Sequence, residues 1–319
     1  MCIRDSIGAI RDQNAPVLVY SVDGQRVLQG SVITPPMEEQ VRAAPGVGEV
    51  GPIGQGTFTG LPSGGDGEET FDTTLIGYEL GPDGNGIGAP ETIVDGRLPT
   101  ADDEAVVSDA DVRLGYGIGE TVTLLPGGKT IEVVGVARDV QLNVSPTLFV
   151  SYETYLDAVT SVNPDAGEPL PNVLGVIPAD GFTPDEAVAS INEQSLELDA
   201  LTREDAAAET PGVAEVQQSF NIIFLLYGLV VPCVTGLFFL IVTFQKANSL
   251  TLLRAIGAPA GRLVSSLLLQ VVVIVGAGLL IGTLLYFPVS QQALGGIALR
   301  FETSAVVFWS VLLLSLIHI

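Results

Sequence analysis

The order of apolar and polar residues divides this 319-residue chain into two parts of different character. Residues 7–215 alternate short apolar runs with polar, Gly and Pro positions, whereas residues 216–319 hold three long apolar runs. The runs 220–244 and 263–287 contain no charged residue over 25 residues each. At about 1.5 Å per residue in a helix, each run exceeds the roughly 30 Å hydrocarbon core of a bilayer. We therefore predict transmembrane helices at these two runs, and a truncated third at 304–319.

The first part has the pattern of an α+β domain. Short β-rich runs recur along it, at 16–22, 25–33, 70–80, 104–108, 120–125, 129–140 and 147–151. Asp23-Gly24 and Gly127-Gly128 lie between such runs and predict hairpin turns, because these residues accept the positive φ angles of tight turns. The Gly-rich tract at 51–69 is predicted to be a loop.

Helical patterns are fewer in this domain. Two are predicted at 108–116 and 151–160. The clearest begins at Thr183, where Thr183, Pro184 and Glu186 supply an N-cap, a proline in the first turn and an acid at the third helical position. This combination is a capping box, which marks the start of a helix.

Charge follows the same division of the chain. Residues 1–218 carry 36 of the 37 acidic residues and a net charge of −27, whereas residues 219–319 carry a net charge of +3. The acidic part could attract cations or cationic peptides, or be simply a solvated surface typical of an acid-rich proteome. No nucleic-acid partner is predicted for so acidic a chain.

The few cations of the second part predict its orientation in a membrane. The connection 245–262 carries three basic residues and no acid, namely Lys246, Arg254 and Arg262. Because basic loops stay on the cytoplasmic side, we place 245–262 in the cytoplasm and 7–215 outside the cell. The chain is thus predicted to be a multi-pass protein of a prokaryotic plasma membrane, with the lipid bilayer as a partner.

The two chain ends have an unusual sequence. "MCIRDS" at residues 1–6 and "SLIHI" at the other end resemble translated adaptor sequence. We expect residues 1–6 to be a sequencing artefact. An acidic domain of about 200 residues outside the cell needs a route across the membrane, so a first transmembrane helix is expected before residue 7.

The sequence offers few groups for catalysis or metal binding. His318 is the single histidine, and Cys233 lies in the middle of an apolar run. No catalytic triad, zinc-ligand pair or Walker-type phosphate loop is present. The segment 46–51 fits G-x-G-x-x-G, but Pro45 and Pro52 flank it where a dinucleotide site needs a strand and a helix. We predict no catalytic residue, no metal and no cofactor bound by this chain.

Glycines in the second apolar run predict a surface for close helix contact. Gly278 and Gly282 form a G-x-x-x-G pair, which Gly276 extends. Such a face lets helices approach closely, within one subunit or between two. Ordinary tolerance of glycine in a transmembrane helix explains the same residues, and both interpretations stay open.

The break between the two runs carries a recognisable pattern. In "LTLLRAIGAPAGRLVSSLLLQ" (250–270), a basic, a small and an aliphatic residue precede Gly-Ala, at Arg254, Ala255, Ile256, Gly257 and Ala258. This resembles the FtsX-like ABC permease family, which includes MacB-like and lipoprotein-release permeases. The resemblance extends to "VDGRLPTADDEAVVSDADVRLGYGIGETVTLL" and "KTIEVVGVARD" in the acidic domain. It covers most of 90–319 and fits 11–90 more loosely.

The resemblance implies the architecture and the function of an ABC permease. Such permeases have four transmembrane helices, with an extracytoplasmic α+β domain (a MacB-like periplasmic core) between the first and second. Two copies pair as a homo- or heterodimer, and each docks a separate or fused ABC ATPase that binds ATP and magnesium. The permease is not itself an enzyme. ATP-driven motion passes to the outer domain, for export or extraction of lipoprotein, peptide or small hydrophobic substrates.

The ATPase-coupling loop is predicted from this resemblance and from the charge pattern. Its residues are Lys246, Arg254, Ala255, Ile256, Gly257, Ala258 and Arg262. A stiff helical extension that ends at a corner formed by Gly257 and Pro259 suits a segment on which a partner protein exerts force. The alternative is a membrane-anchored receptor or adhesion module whose acidic outer domain binds a ligand, which needs no such corner.

Overall fold

The computed structural model describes residues 7–64, 69–143, 145–165, 167, 169–211, 213–257, 259–289, 293–294 and 297–298. The chain divides into two compact units between Val216 and Gln217. The predicted artefact at residues 1–6, the predicted third transmembrane helix at 304–319 and the predicted coupling residue Ala258 lie outside the described residues.

The first unit is built on one ten-stranded sheet, which confirms the predicted α+β domain. Its strands are β1 (Val17–Ser21), β2 (Val47–Pro62), β3 (Phe71–Tyr78), β4 (Ile93–Gly96), β5 (Glu104–Ser108), β6 (Thr121–Leu125), β7 (Lys129–Ala137), β8 (Thr147–Ser151), β9 (Val173–Pro178) and β10 (Leu198–Thr202). The strand order is β10-β1-β9-β2-β3-β8-β5-β7-β4, and β6 pairs with both β2 and β7. The pairs β3–β8 and β5–β7 are parallel, and the others are antiparallel.

Helices cover the sheet and make up the second unit. The first unit has α1 (Gly8–Arg11), α2 (Pro35–Ala43), α3 (Tyr152–Val162), α4 (Pro184–Gln194) and α5 (Arg203–Ala208). Two long helices follow, α6 (Val213–Ala255) and α7 (Ala260–Val289), and then two short strands, β11 (Ala293–Leu294) and β12 (Ile297–Ala298). The capping box is confirmed, since the Thr183 side chain accepts from the Glu186 N–H and the Glu186 carboxylate accepts from the Thr183 N–H.

The prediction of a loop at 51–69 was wrong for most of its length, because β2 runs to Pro62. Its glycines allow another element to approach. A Cβ on Gly54 would lie 2.2 Å from Cε1 of Tyr155, and one on Gly77 of β3 would lie 2.4 Å from Cβ of the same tyrosine. Glycine in these strands therefore makes room for α3, rather than marking a loop.

The predicted strand at 25–33 was also wrong. A 3-10 turn at Val22–Gly24 is followed by Gln25 and Arg26, whose φ angles of 50° and 63° are left-handed. Such angles are incompatible with a strand, so the segment forms a loop, and no hairpin turn lies at Asp23-Gly24. The predicted helix at 108–116 is likewise only a 3-10 turn at Asp111–Leu114.

The stretch "GRLPTADDE" is held together by one ion pair. Arg97 Nη1 donates to Glu104 Oε2 at 2.7 Å, and Arg97 Nη2 donates to Oε1 at 2.5 Å. The backbone N–H of Thr100 also donates to Glu104 Oε2, at 2.9 Å. These bonds lower the pKa of Glu104 to about 2, mainly through Arg97. The motif therefore closes the turn that leads into β5.

A buried carboxyl group joins the end of β5 to the loop before β8. Asp111 is fully buried, and its carboxyl accepts from Gln141 Nε2 and, at 3.0 Å, from the backbone N–H of Thr147. Burial raises its pKa to about 7, and the nearby Asp109 adds to the shift.

We predict that this group makes the outer domain less stable as pH rises. Because its pKa is raised on folding, its stabilising contribution is complete below its ordinary pKa of 3.8 and is lost as pH rises through about 7. The maximum loss is on the order of 4 kcal/mol. Asp111→Asn keeps one acceptor, adds one donor and cannot ionise. The stability of this variant should therefore fall less than that of the wild type between pH 4 and 8. Pulse proteolysis of the full chain in urea measures this, with the exposed Asp180→Asn as control. An unchanged pH slope in Asp111→Asn would contradict the prediction.

Candidate functional site

The helix α6 is one continuous element of 43 residues, about 65 Å long. It contains the predicted transmembrane run 220–244 and continues through Pro232 without ending. Its stretch Ile222–Asn248, with a mean hydropathy of 2.4, is the one helix in the described part of the chain that is long and apolar enough to cross a membrane. The helix α7 includes the second predicted run, but the apolar stretch found there, Gly276–Leu285, is shorter.

The side chains of α6 are exposed along its apolar stretch. None of its most apolar part is buried by the chain. Large residues along it are more than half exposed, including Phe224, Tyr227, Leu229, Leu237 and Phe244. A core helix of a soluble domain buries such residues, so this helix needs an apolar environment that the described chain does not supply.

The predicted coupling loop is a corner between the two helices. The last turn of α6 is closed by a hydrogen bond from the Ile256 N–H to the Leu252 carbonyl, at 3.2 Å. Gly257 follows with φ of 95°, the left-handed conformation in which glycine commonly ends a helix. Pro259 then precedes the first residue of α7. The predicted corner at Gly257 and Pro259 therefore exists, and it takes only a few residues.

The structure places the predicted coupling residues on both sides of this corner. Lys246 and Arg254 lie on α6, which ends at Ala255, and Arg262 lies on α7. The side chain of Ile256 is 82% exposed. No acidic residue occurs from 219 to 301, so the charge around the corner is uniformly positive. The role of these residues in coupling stays a prediction.

One contact between the two helices joins residues that are far apart in sequence. Lys246 Nζ donates to Gln270 Oε1 at 2.9 Å, which links α6 to α7 behind the corner. A polar side chain in an apolar helix is stabilised by such a partner, because lipid offers none. The two residues lie 24 positions apart, so the sequence alone does not pair them.

Among the described residues, no atom fills the space beside the glycines that are predicted to pack against another helix. A Cβ added to Gly276, Gly278 or Gly282 of α7 would meet no described heavy atom within 4 Å. Their surface is thus free for another helix, and helix contact there stays a prediction. Within the described residues, no group of three His, Cys, Asp or Glu residues could hold a metal ion.

Several solved structures are similar to part of this chain. No family model matches the chain. The chain is similar to the periplasmic region of MacB from Actinobacillus actinomycetemcomitans, at 16% identity and a TM-score of 0.43, over 66% of this chain and 95% of that one. It is also similar to the extracellular domain of the noncanonic ABC-type transporter YknZ from Gram-positive bacteria, at 16% identity and a TM-score of 0.37, over 58% of this chain and 99% of that one.

A third similar structure is a domain of a putative permease protein from Porphyromonas gingivalis, at 17% identity and a TM-score of 0.35. It covers 60% of this chain and 89% of that one. Two of these three structures are domains outside the cytoplasm of their own proteins.

We predict that Gly257→Ala disturbs the corner, whereas Gly261→Ala does not. A Cβ fits at both positions without meeting a described atom, so space does not distinguish them. At Gly257 the left-handed backbone costs a residue with a Cβ about 1–2 kcal/mol. At Gly261, inside α7, alanine favours the helix by about 1 kcal/mol.

Pulsed EPR between spin labels at Leu253 and Leu269, in lipid nanodiscs, measures the corner. The background replaces Cys2 and Cys233 with serine. Gly257→Ala should shift or broaden the distance distribution, and Gly261→Ala should keep that of the parent. Identical distributions for both variants would show that the left-handed glycine does not define the corner.

Proposed function

We propose that this chain is the permease subunit of an ABC transporter, which passes ATPase-driven motion across a membrane to its acidic outer domain. The observation that carries this proposal is the continuity of α6. One helix begins at Val213, shortly after the last element of the outer domain, and ends at the basic corner. A single stiff rod of about 65 Å can transmit displacement between its two ends.

The distribution of charge supports one orientation of α6 across the membrane. The outer domain has a net charge of −27, and the region around the corner is purely basic. Basic segments stay in the cytoplasm, so the corner faces the cell interior and the acidic domain lies outside. Several transmembrane helices per chain belong to this proposal, with α7 as the second.

The corner has the properties of a docking surface for an ATPase. Arg254 is one residue before the end of α6, and Ile256 next to it is largely exposed. A guanidinium binds carboxylates or backbone carbonyls of a partner through several donors at once. Anchoring of the helix ends at the lipid surface explains the cations alone, but it does not explain an exposed isoleucine at the tip.

The other components of the proposed transporter follow from this role. ATP and magnesium belong to the partner ATPase, and this chain hydrolyses nothing itself. Two permease copies pair in the membrane, where Gly276, Gly278 and Gly282 offer an open small-residue face. The substrates are lipoproteins, peptides or small hydrophobic molecules.

Site-specific photo-cross-linking at Ile256 tests the proposal. A photoreactive phenylalanine analogue at this position, in the full-length protein expressed in its own host, should cross-link to a protein that carries a Walker phosphate loop. Arg254→Glu should reduce the cross-linked product about tenfold, because it reverses the charge at the docking surface. The same analogue at Leu196, which is 94% exposed in the outer domain, is the matched control.

Two outcomes separate this function from a receptor or adhesion role. A cross-link from position 256 to an ATPase that is absent from position 196 supports the permease. Products from position 256 that contain no ATPase, at full yield of the photoreactive protein, would leave the membrane-anchored receptor as the better description.

A further inference from the structure

The strand β10 forms one edge of the ten-stranded sheet, and its pairing is regular. Within the described sheet it pairs with β1 alone, over all five of its residues and without a register shift. The strand at the other edge, β4, has four residues and a register shift between Ile93 and Asp95. A short, irregular edge is a poor template for a further strand, whereas a regular edge is a good one. Of the two, β10 is therefore the edge that a further strand could extend.

The backbone groups of β10 point alternately towards β1 and towards the open side of the sheet. The Val22 N–H donates to the Glu197 carbonyl, and the Arg203 N–H donates to the Pro16 carbonyl, each at 2.9 Å. Because the hydrogen bonds of an antiparallel ladder recur at every second residue, the odd-numbered residues of β10 bond to β1. The residues whose N–H and C=O groups point to the open side are the even-numbered ones, Leu198, Ala200 and Thr202.

One side chain occupies the middle of this open edge. Asn192 Oδ1 accepts from the Ala200 N–H at 2.7 Å, and Asn192 Nδ2 donates to the Ala200 carbonyl at 3.0 Å. A carboxamide carries the same donor and acceptor as a peptide group. Asn192 therefore makes the pair of hydrogen bonds that a neighbouring strand would make with Ala200.

The helix α4 holds Asn192 in this place. The side chains of Ala187 and Ile191 on α4 are fully buried. Ile191 lies in the same core cluster as Leu198 and Ala200, so α4 packs on the sheet beside β10. Asn192 is the next residue along the helix, and it is exposed. The buried side of α4 thus fixes the position from which the carboxamide reaches the edge.

The open edge of β10 is complementary to the same edge of a second copy of the chain. A two-fold axis at Ala200 would place Leu198 of one copy opposite Thr202 of the other, and Asp199 opposite Leu201. Like charges do not face each other in this register. The contact would be isologous, since each copy would contribute the same three residues. The negative charge of the outer domain opposes such a contact, and salt reduces this repulsion.

We propose that the Asn192 carboxamide blocks the β10 edge and so prevents two outer domains from pairing strand to strand through β10. The occupied groups belong to Ala200, the central one of the three open residues. A second β10 therefore cannot pair around Ala200 while Asn192 is in place. This inference concerns the outer domain alone and does not depend on the proposed function.

Pulsed EPR between copies of the full chain tests the block. Each copy carries one spin label at Leu196, which is 94% exposed, in a background with serine at Cys2 and Cys233. The protein is measured in nanodiscs at about 1 M salt, where the Debye length is about 3 Å. Two β10 strands paired at Ala200 would separate the labelled positions by about 26 Å, at about 3.3 Å per residue. Asn192→Ala should add this distance, and the wild type should lack it.

Further variants separate an opened edge from a loosened fold. Asn192→Ser is too short to reach both backbone atoms, so it should behave as Asn192→Ala. Asn192→Asp keeps the acceptor for the Ala200 N–H and adds a charge at the edge, so it should behave as the wild type. Asn163→Ala is the matched control, because Asn163 is also exposed and lies at the end of α3, and it should keep the wild-type distances.

Amide hydrogen exchange in β1 and β9 reports whether the fold is kept. The added distance in the alanine and serine variants, absent from Asn192→Asp and with unchanged exchange in β1 and β9, supports the block. No added distance in these two variants, or the same distance in the wild type or in Asn192→Asp, overturns it. Faster exchange in β1 and β9 in all three variants at position 192 would also overturn it, since Asn192 would then serve the stability of the fold.

Discussion

An apolar helix is stable with its side chains exposed only where its surroundings are as apolar as itself. The stretch Ile222–Asn248 is long and apolar enough to cross a bilayer, and the described residues bury none of its most apolar part. A helix also satisfies its own backbone hydrogen bonds, which lipid cannot do. In the sequence, nearly all acidic residues precede this stretch, and the basic residues Arg254 and Arg262 follow it.

The two ends of α6 are built in different ways. At the corner, a left-handed glycine and a proline stop the helix within a few residues, and the neighbouring sequence carries the basic residues Arg254 and Arg262. Before the other end, α5 packs on the core of the outer domain through buried alanines, and two arginine-centred ion pairs hold its two ends. The proposed function needs both ends of this helix, whereas a simple membrane anchor needs only the apolar stretch.

Much of this organisation could be predicted from local patterns. The apolar run of α6, the capping box at Thr183 and the strand at 104–108 each depend on neighbours within a few residues. The corner at Gly257 was also predictable, since glycine and proline determine backbone geometry locally. The charge pattern is also a property of the sequence alone, and it located the candidate site without knowledge of any contact.

The errors arise where distant residues decide the outcome. The glycines of β2 look like a loop until Tyr155 occupies the space above them, and Tyr155 lies about a hundred residues later. The loop 25–33 has the composition of a strand, but Arg26 is bound by Asp199 and Glu209 at the far end of the domain. The burial of Asp111 and the Lys246–Gln270 hydrogen bond are likewise tertiary effects.

The central claim is that α6 connects an outer domain to a cytoplasmic corner, and cysteine accessibility tests it most directly. Single cysteines at Leu196 and Ile256, in a background without Cys2 and Cys233, are treated with a membrane-impermeant maleimide. In intact cells the reagent should label position 196 and should reach position 256 only after permeabilisation. Labelling of position 256 in intact cells would contradict the account.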